Sequence, residues 1–545
     1  MKSAAATQQP GPIFGGWYFL IPIVALALAR GFWAPDEPRY AEIAKEAWQT
    51  PSFLVLHLCG ELYPDKPPLV YWLAGLMGQL SGWSEFWMRT PSILATVGSA
   101  YLCARIARRW LGEHTARWSV PFYLGTIMLL EIGGRLQLDP LLAFFCLLAI
   151  DLLTNTDGAA RALQRRTLLA GLALGFGALA KGPPAWLPAG FALVTWALLP
   201  RDLRFAPRRR LATWIGFVVL AILPVATWAT LAIRAEPALM KPLLFGQHVG
   251  RITSGDQHPG PIWDHLRSFP VLFLPWTLLL AAGLGRAWRS FRARENTEFV
   301  RIAAWFAVVF VFWSVIPPKR DLYLLPIYPA AALIAAFEFT SRLRAGSLPR
   351  WIGWTTAGLL GLVGLVLASA TLVVPRIVAA SPNLFTSDAE AAELALRIVP
   401  AGLALLAGVA LAGWALSRGR IARWADAIGL GLASALTLVA VLVVPRIDDV
   451  KSARSLAELL AQRPEKPSLL ACVGIRPEGI RFYGNVPAGA DPIPEALERE
   501  GANFLALCRD KEFQELPDAV KARVREIAKS RVGSRVVYVL VRADP

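Results

Sequence analysis

Two adjacent carboxylates, Asp36 and Glu37, stand near the head of the run Trp33-Ala-Pro-Asp36-Glu37-Pro38-Arg39-Tyr40-Ala-Glu42-Ile-Ala-Lys45-Glu46. Paired acids next to apolar sequence cost desolvation unless cations compensate them, and that need is characteristic of reactive sites. Asp36 is equally placed to cap a helix that has Pro38 in its first turn, and capping does not exclude chemistry. A second element, Tyr63-Pro-Asp65-Lys66-Pro67-Pro68, presents a lysine rigidly between an acid and two prolines. Such a lysine suits a phosphate as a point charge, or an interface as an anchor among aromatic neighbours. Four more sites carry chemistry-bearing residues: Asp139, Lys181-Gly-Pro-Pro184, Phe245-Gly-Gln-His248-Val-Gly-Arg251 and Pro317-Pro-Lys319-Arg320-Asp321-Leu-Tyr323. Each alone reads as well as a cap or an anchor. Together they supply cations, carboxylates and a histidine, a set suited to a phosphate-bearing substrate.

The elements that position these residues are membrane spans. The chain has 545 residues, 55% hydrophobic and 17% charged, against about 25% charged in an average soluble protein. Segments 167–180, 184–199, 211–233, 351–374 and 427–444 contain no Asp, Glu, Lys or Arg, and several approach the length that crosses a bilayer. A soluble enzyme, a disulfide scaffold and a disordered chain are excluded; the fold class is a polytopic α-helical membrane protein. The net charge of +17 comes largely from arginine patches between the apolar segments. That is the signature of cytoplasmic loops, so nucleic acid is not an expected partner.

Placing every patch inside requires an even number of spans between neighbours. The pairs are 115–133 with 140–153, 167–180 with 184–199, 211–233 with 269–285, 302–316 with 321–340, and 351–374 with 396–416. With 14–30, 88–104 and 425–444 the total is about thirteen transmembrane helices. Segment 66–83, opened by Lys66 and two prolines, is expected to lie at the outer face. The reading gives a transmembrane domain over 1–445, with outer loops 31–87 and 234–268, and a small soluble α/β domain over 446–545. In that domain, strand-like runs 468–473, 503–508 and 535–541 alternate with helix-like stretches 452–463 and 516–529. Cys472 and Cys508 end two of the strands and are either paired or buried as free thiols. The repeat Leu-Val-Val-Pro-Arg-Ile at 372–377 and 442–447 marks two outward exits from the membrane and is a convenient way to end a helix.

The run Asp36-Glu37-Pro38-Arg39-Tyr40-Ala-Glu42-Ile-Ala, followed by Asp65-Lys66-Pro67-Pro68, resembles the polyprenyl-phosphate-dependent glycosyltransferases of the GT-C class. Among them it is most similar to the bacterial aminoarabinose transferases that modify lipid A, which are related to the protein O-mannosyltransferases. Lys319-Arg320-Asp321-Leu-Tyr323-Leu-Leu-Pro326, the His248…Arg251 loop and the span layout extend the resemblance over the whole chain. It implies that Asp36 is the catalytic carboxylate, that Lys66, Arg251 and Tyr323 hold the lipid phosphate, and that Asp139 lines the same cavity. Glu37, Arg39, Tyr40, Lys319 and Arg320 are the further substrate-binding residues expected from the motifs. In the aminoarabinose transferases the residue before the lysine is commonly Glu, and with a later histidine it can hold zinc; here those positions are Asp65 and His248. Two ligands make a weak site, so at most a structural zinc is expected and no cofactor is required.

The implied reaction moves a sugar, 4-amino-4-deoxy-L-arabinose first, from undecaprenyl phosphate to lipid A with inversion at the anomeric carbon. Its setting is the periplasmic face of a bacterial inner membrane, with donor, acceptor and membrane lipids as the partners. Another sugar, or a hydroxyl acceptor on protein, core lipopolysaccharide or glycolipid, is the alternative within the class. A transporter of lipid-linked sugar would share the hydropathy profile, but transporters place ionisable groups near the bilayer midplane. Here the span centres are almost free of charge and the notable residues cluster at one end.

Overall fold

The computed structural model describes residues 11–50, 53–205, 210–243, 260–380, 388–532 and 535–543. The chain is a helical bundle with a mixed sheet near its C-terminus. The first ten α-helices are α1 (Leu20–Ala29), α2 (Glu37–Gln49), α3 (Leu69–Ser81), α4 (Glu85–Leu111), α5 (Glu113–Leu124), α6 (Ile127–Ile132), α7 (Asp139–Thr154), α8 (Ala160–Lys181), α9 (Trp186–Leu198) and α10 (Leu211–Ala235). Among the described residues six helices are long and apolar enough to cross a membrane. A seventh span results if Asp264–Leu272 and Thr277–Ala293, bent by 116° at their break, form one crossing. Their lipid-side surface stays apolar: Val218, Leu223, Leu362, Leu365 and Leu411 are exposed, as expected where the solvent is hydrocarbon.

Inside a membrane, helices gain little from burying apolar surface against one another, so they associate where small residues let backbones approach. Gly171 and Gly175 on α8 form such a seam against α10. A Cβ added at either would sit 2.3 Å from the Phe217 carbonyl oxygen or 2.5 Å from that of Leu220. The same device joins the last two long helices, Asp388–Ser417 and Ile421–Leu438, where a Cβ at Gly408 would lie 2.5 Å from the Gly431 Cα.

The strands β1 (His57–Leu58) and β2 (Glu61–Leu62) form a short antiparallel pair, and near the C-terminus the strands β3 (Leu470–Val473), β4 (Ala488–Gly489), β5 (Leu505–Arg509), β6 (Val524–Val532) and β7 (Arg535–Arg542) form one sheet in the order β4-β3-β5-β7-β6. The pairs β3–β4 and β3–β5 are parallel; β5–β7 and β6–β7 are antiparallel. Only Asp518–Lys521 of the stretch 516–529 is helical, and Val524–Val532 is an edge strand. Its backbone groups pair with β7 from Val524↔Arg542 to Val532↔Arg535, and a ladder of that length outweighs a weak local helix preference. Cys472 and Cys508 are free and buried. Cys472 packs with Leu470 and Leu507 on one face of the sheet, Cys508 with Ala471 and Ala506 on the other. Their side chains point apart, which excludes a bond between them. The Leu-Val-Val-Pro-Arg-Ile repeats do not end helices either. The first lies inside Ala370–Ala380, and the second runs through a π-turn at Val439–Val443 into Val444–Lys451. In the second repeat Pro445 stands in the first turn of the new helix, where its missing N–H costs nothing.

The sheet segment is fastened to the first loop. Gly31 N and Trp33 Nε1 donate to Asp448 Oδ1 at 2.7 and 2.6 Å, and Phe32 N donates to the Tyr483 hydroxyl at 2.7 Å. On α2, Lys45 Nζ donates to the Phe482 carbonyl at 2.9 Å, while Arg481 reaches Glu42 at 2.9 Å and Glu46 at 2.5 Å.

Candidate active site

The loop between α1 and α2 brings Asp36 to the N-cap position of α2, yet its side chain makes no capping hydrogen bond. The carboxylate turns the other way. Oδ1 accepts from Arg39 at 2.9 Å, and Oδ2 accepts from Arg320 at 2.7 Å and from Gln137 Nε2 at 3.4 Å. Asp36 is 8% exposed. Burial raises its proton affinity, but the Arg320 bond, with help from Arg39 and Gln137, holds the carboxyl below the usual range. Burial likewise opposes the charge on Arg320, and the Asp36 hydrogen bond with the fields of Asp36, Tyr40 and Asp139 outweighs it.

Glu37 faces inward. Its carboxylate takes Arg89 Nε at 2.8 Å and Nη2 at 3.2 Å, the Leu136 amide at 3.0 Å, and Arg30 at 3.6 Å. Against the cost of complete burial, Arg89 and Arg30 hold it down to about 2. Arg89 also donates to the carbonyls of Ala27, Arg30 and Gly31, so one guanidinium joins the end of α1, the loop and α2. Tyr40 is buried, with Arg39 over its ring at 5.1 Å.

A cavity of about 560 Å³ opens beside this network. Its polar end holds Asp65, Lys66, Asp139, Lys181 and Tyr323; its apolar wall includes Trp228 of α10 and Phe312 of the Thr297–Val315 helix. Asp139 opens α7, and it pairs with Lys181, the last residue of α8. The Lys181 ammonium sits 5.0 Å above the Tyr323 ring. Asp36 is not part of the cavity lining; it adjoins through Gln137, two residues before Asp139. Lys319 points elsewhere. It is 9% exposed and donates to the carbonyls of Ser314 at 2.8 Å and Trp313 at 3.4 Å, and to that of Ile316, closing the end of the Thr297–Val315 helix.

The structure thus gathers Lys66, Asp139 and Tyr323 in one cavity, with Asp65, and Asp36, Arg39 and Arg320 in an adjoining network. His248 and Arg251 lie outside the described residues. Among the described residues no three His, Cys, Asp or Glu side chains converge as a metal site. Two participants, Arg89 and Gln137, were not among the residues singled out in the sequence, and Lys181 was singled out without a role. Arg89 carried a signal, the one cation in the apolar segment 88–104; Gln137 carried none.

The family described as dolichyl-phosphate-mannose-protein mannosyltransferase matches residues 65–228. The undecaprenyl phosphate-alpha-4-amino-4-deoxy-L-arabinose arabinosyl transferase of Pseudomonas aeruginosa is 31% identical over 362 residues, 66% of this chain and 63% of that protein. Arabinosyl transferase 1 of Pseudomonas fluorescens is 30% identical over 361 residues, 64% of this chain and 63% of its own. The Enterobacter enzyme of the same name is 26% identical over 449 residues, 81% and 77%. The chain therefore spans a little under two thirds of the first two relatives. The crystal structure of ArnT from Cupriavidus metallidurans bound to undecaprenyl phosphate superposes with a TM-score of 0.74 at 20% identity, covering 96% of this chain and 97% of that one. The fold is the GT-C fold of that structure, and the chain is a multi-pass membrane protein that resembles the aminoarabinose transferases.

Proposed function

We propose that this protein transfers 4-amino-4-deoxy-L-arabinose from undecaprenyl phosphate to lipid A. The observation that carries the reading is the cavity in which an apolar helical wall meets Lys66, Asp139, Lys181 and Tyr323. A polyprenyl chain fits the wall, and its phosphate fits the two ammonium groups. As the C1–O bond breaks, the phosphate gains charge, and cations already oriented toward it stabilise that change without reorganisation.

The low proton affinity of Asp36 bears on the acceptor. A hydroxyl acceptor needs a base, and a carboxylate held below its usual range by two guanidiniums is a poor one. A lipid A phosphate is already ionised and attacks without a base. Asp36 then stays anionic, faces the positive charge that develops on the sugar, and fixes Arg320 and Arg39. Attack from the side opposite the departing phosphate inverts C1. This chemistry requires no redox or metal cofactor; Asp65 and His248 are at most a structural zinc pair.

The reading places the reaction at the periplasmic face of a bacterial inner membrane, with the arginine-rich turns cytoplasmic. It takes the helices as about thirteen crossings, residues 1–445 as the transferase body and 446–545 as a soluble periplasmic domain. Three features support it: the mixed sheet after residue 470, its attachment to the Asp36 side of the bundle, and the clustering of Arg105, Arg109 and Arg342 at the other end. Mass spectrometry of lipid A from cells with and without the gene tests it. Loss of a pentosamine-sized adduct from a lipid A phosphate is expected, and unchanged lipid A overturns the acceptor assignment.

A further inference from the structure

The second site lies at the far end of α4. Arg89, near its start, meets Glu37; Trp110, near its end, borders a separate cavity of about 350 Å³. The 21 residue-to-residue steps from Arg89 to Trp110, at about 1.5 Å each, span about 32 Å, the thickness of a hydrocarbon core. This cavity therefore sits at the membrane interface opposite the candidate active site. It is concave, and its walls include Trp110, Arg286, Asn296, Phe299, Ser341 and Arg344.

Its charge is unbalanced. Arg286 and Arg342 share one buried carboxylate, Glu338. Glu298 on the rim is held by Arg301 at 3.5 Å. Arg344 is exposed and has no carboxylate partner among the described residues; its Nε makes only a 3.4 Å contact to the Thr340 carbonyl. Of the charged groups lining the hollow itself, two are guanidiniums, Arg286 and Arg344, and one is a carboxylate, Glu298. The other wall is aromatic: Phe299 stacks on Phe337 with centroids 4.2 Å apart, and Trp110 carries the Arg301 guanidinium 6.0 Å above its ring. Ser341 donates to the Phe337 carbonyl at 2.8 Å, so its oxygen keeps lone pairs for a further donor.

We propose that this cavity binds the head group of an anionic phospholipid, with the phosphodiester at Arg344 and the glycerol side against the aromatic wall. Excess positive charge attracts the anion, and basic pockets between spans at the cytoplasmic surface favour such head groups. A topological anchor needs arginines but no hollow, whereas here a hollow, an uncommitted guanidinium and an aromatic pair coincide. A free phosphate would leave the aromatic wall unused. The site is independent of the transfer reaction.

Native mass spectrometry of the full-length protein in mild detergent tests this, with phosphatidylglycerol, phosphatidylcholine and inorganic phosphate as probes. Phosphatidylglycerol is expected to bind at least about tenfold tighter than phosphatidylcholine, as one charge-assisted contact allows. Arg344→Gln should bring the two lipids within about threefold, and Arg344→Lys should keep part of the preference. Arg344 is exposed, so both variants should elute as folded protein and keep donor binding at the opposite face. Equal retention of the two lipids in the parent protein would overturn the proposal, and so would an unchanged preference in Arg344→Gln. Displacement of phosphatidylglycerol by an equal concentration of inorganic phosphate would overturn the lipid assignment.

Discussion

At the scale of single residues, Asp36 and Glu37 are neighbours with opposite commitments. Asp36 faces Arg39, Arg320 and Gln137 beside the cavity; Glu37 is locked to Arg89 in the interior. Asp36→Asn keeps the shape and removes the charge, and should lower turnover by about a hundredfold or more while donor binding holds. Near-normal turnover in that variant would dismiss Asp36 from the chemistry. Glu37→Gln should act on the fold instead. It leaves Arg89 buried without a counter-charge, an uncompensated loss of about 3–5 kcal/mol, readable as a fall in melting temperature and in folded yield. The two lysines of the motifs separate in the same way. Lys66→Met should weaken donor binding about tenfold. Lys319→Met, which unmakes a helix end, should lower thermal stability and leave the donor KM unchanged.

At the scale of elements, the cavity depends on how closely α10 approaches α8. The Gly171 and Gly175 seam sets that distance, since a Cβ at either would collide with a carbonyl of α10. Gly175→Val should push the α10 wall outward and reduce donor affinity more than Lys319→Met does, measured by undecaprenyl phosphate binding. The junction between α2 and the sheet segment has its own chemistry. Burial pushes the Glu42 carboxyl up to about 7; its bond to Arg481 opposes the rise and the nearby Glu46 adds to it. Lys45, Arg481, Glu46 and Cys59 are the charged or titratable groups around it. Because the folded state holds this proton more tightly than the unfolded chain, the stabilisation is complete in acid and is lost as pH rises through about 7. Proteolysis between residues 445 and 470 should therefore quicken from about pH 5 to about pH 7 and level off above that. Glu42→Gln should flatten that dependence, and a pH-independent parent protein would contradict it.

At the scale of the whole molecule, hydropathy carried the most. Charge-free runs and arginine patches are enough to place helices, because hydrocarbon permits little else. The sheet was partly legible: the buried strands β3, β5 and β7 announce themselves by apolar runs, whereas β6 is an edge strand whose polar composition reads as helix. The site was legible where residues recur in short motifs, as with Asp36, Lys66 and Tyr323. It was not where partners come from distant segments: Arg89 reaches back 52 positions to Glu37, and Gln137 reaches 101 to Asp36. No local pattern encodes such pairings. Lys319 was the converse case, a motif lysine whose ammonium closes its own helix end.

The most direct test of the account is transfer by the purified protein in proteoliposomes, with undecaprenyl-phosphate aminoarabinose and lipid A supplied and the products read by mass spectrometry. The account predicts a pentosamine on a lipid A phosphate, formed by the parent protein and lost with Asp36→Asn. No transfer by the folded parent protein, or a sugar found on a hydroxyl, would contradict it.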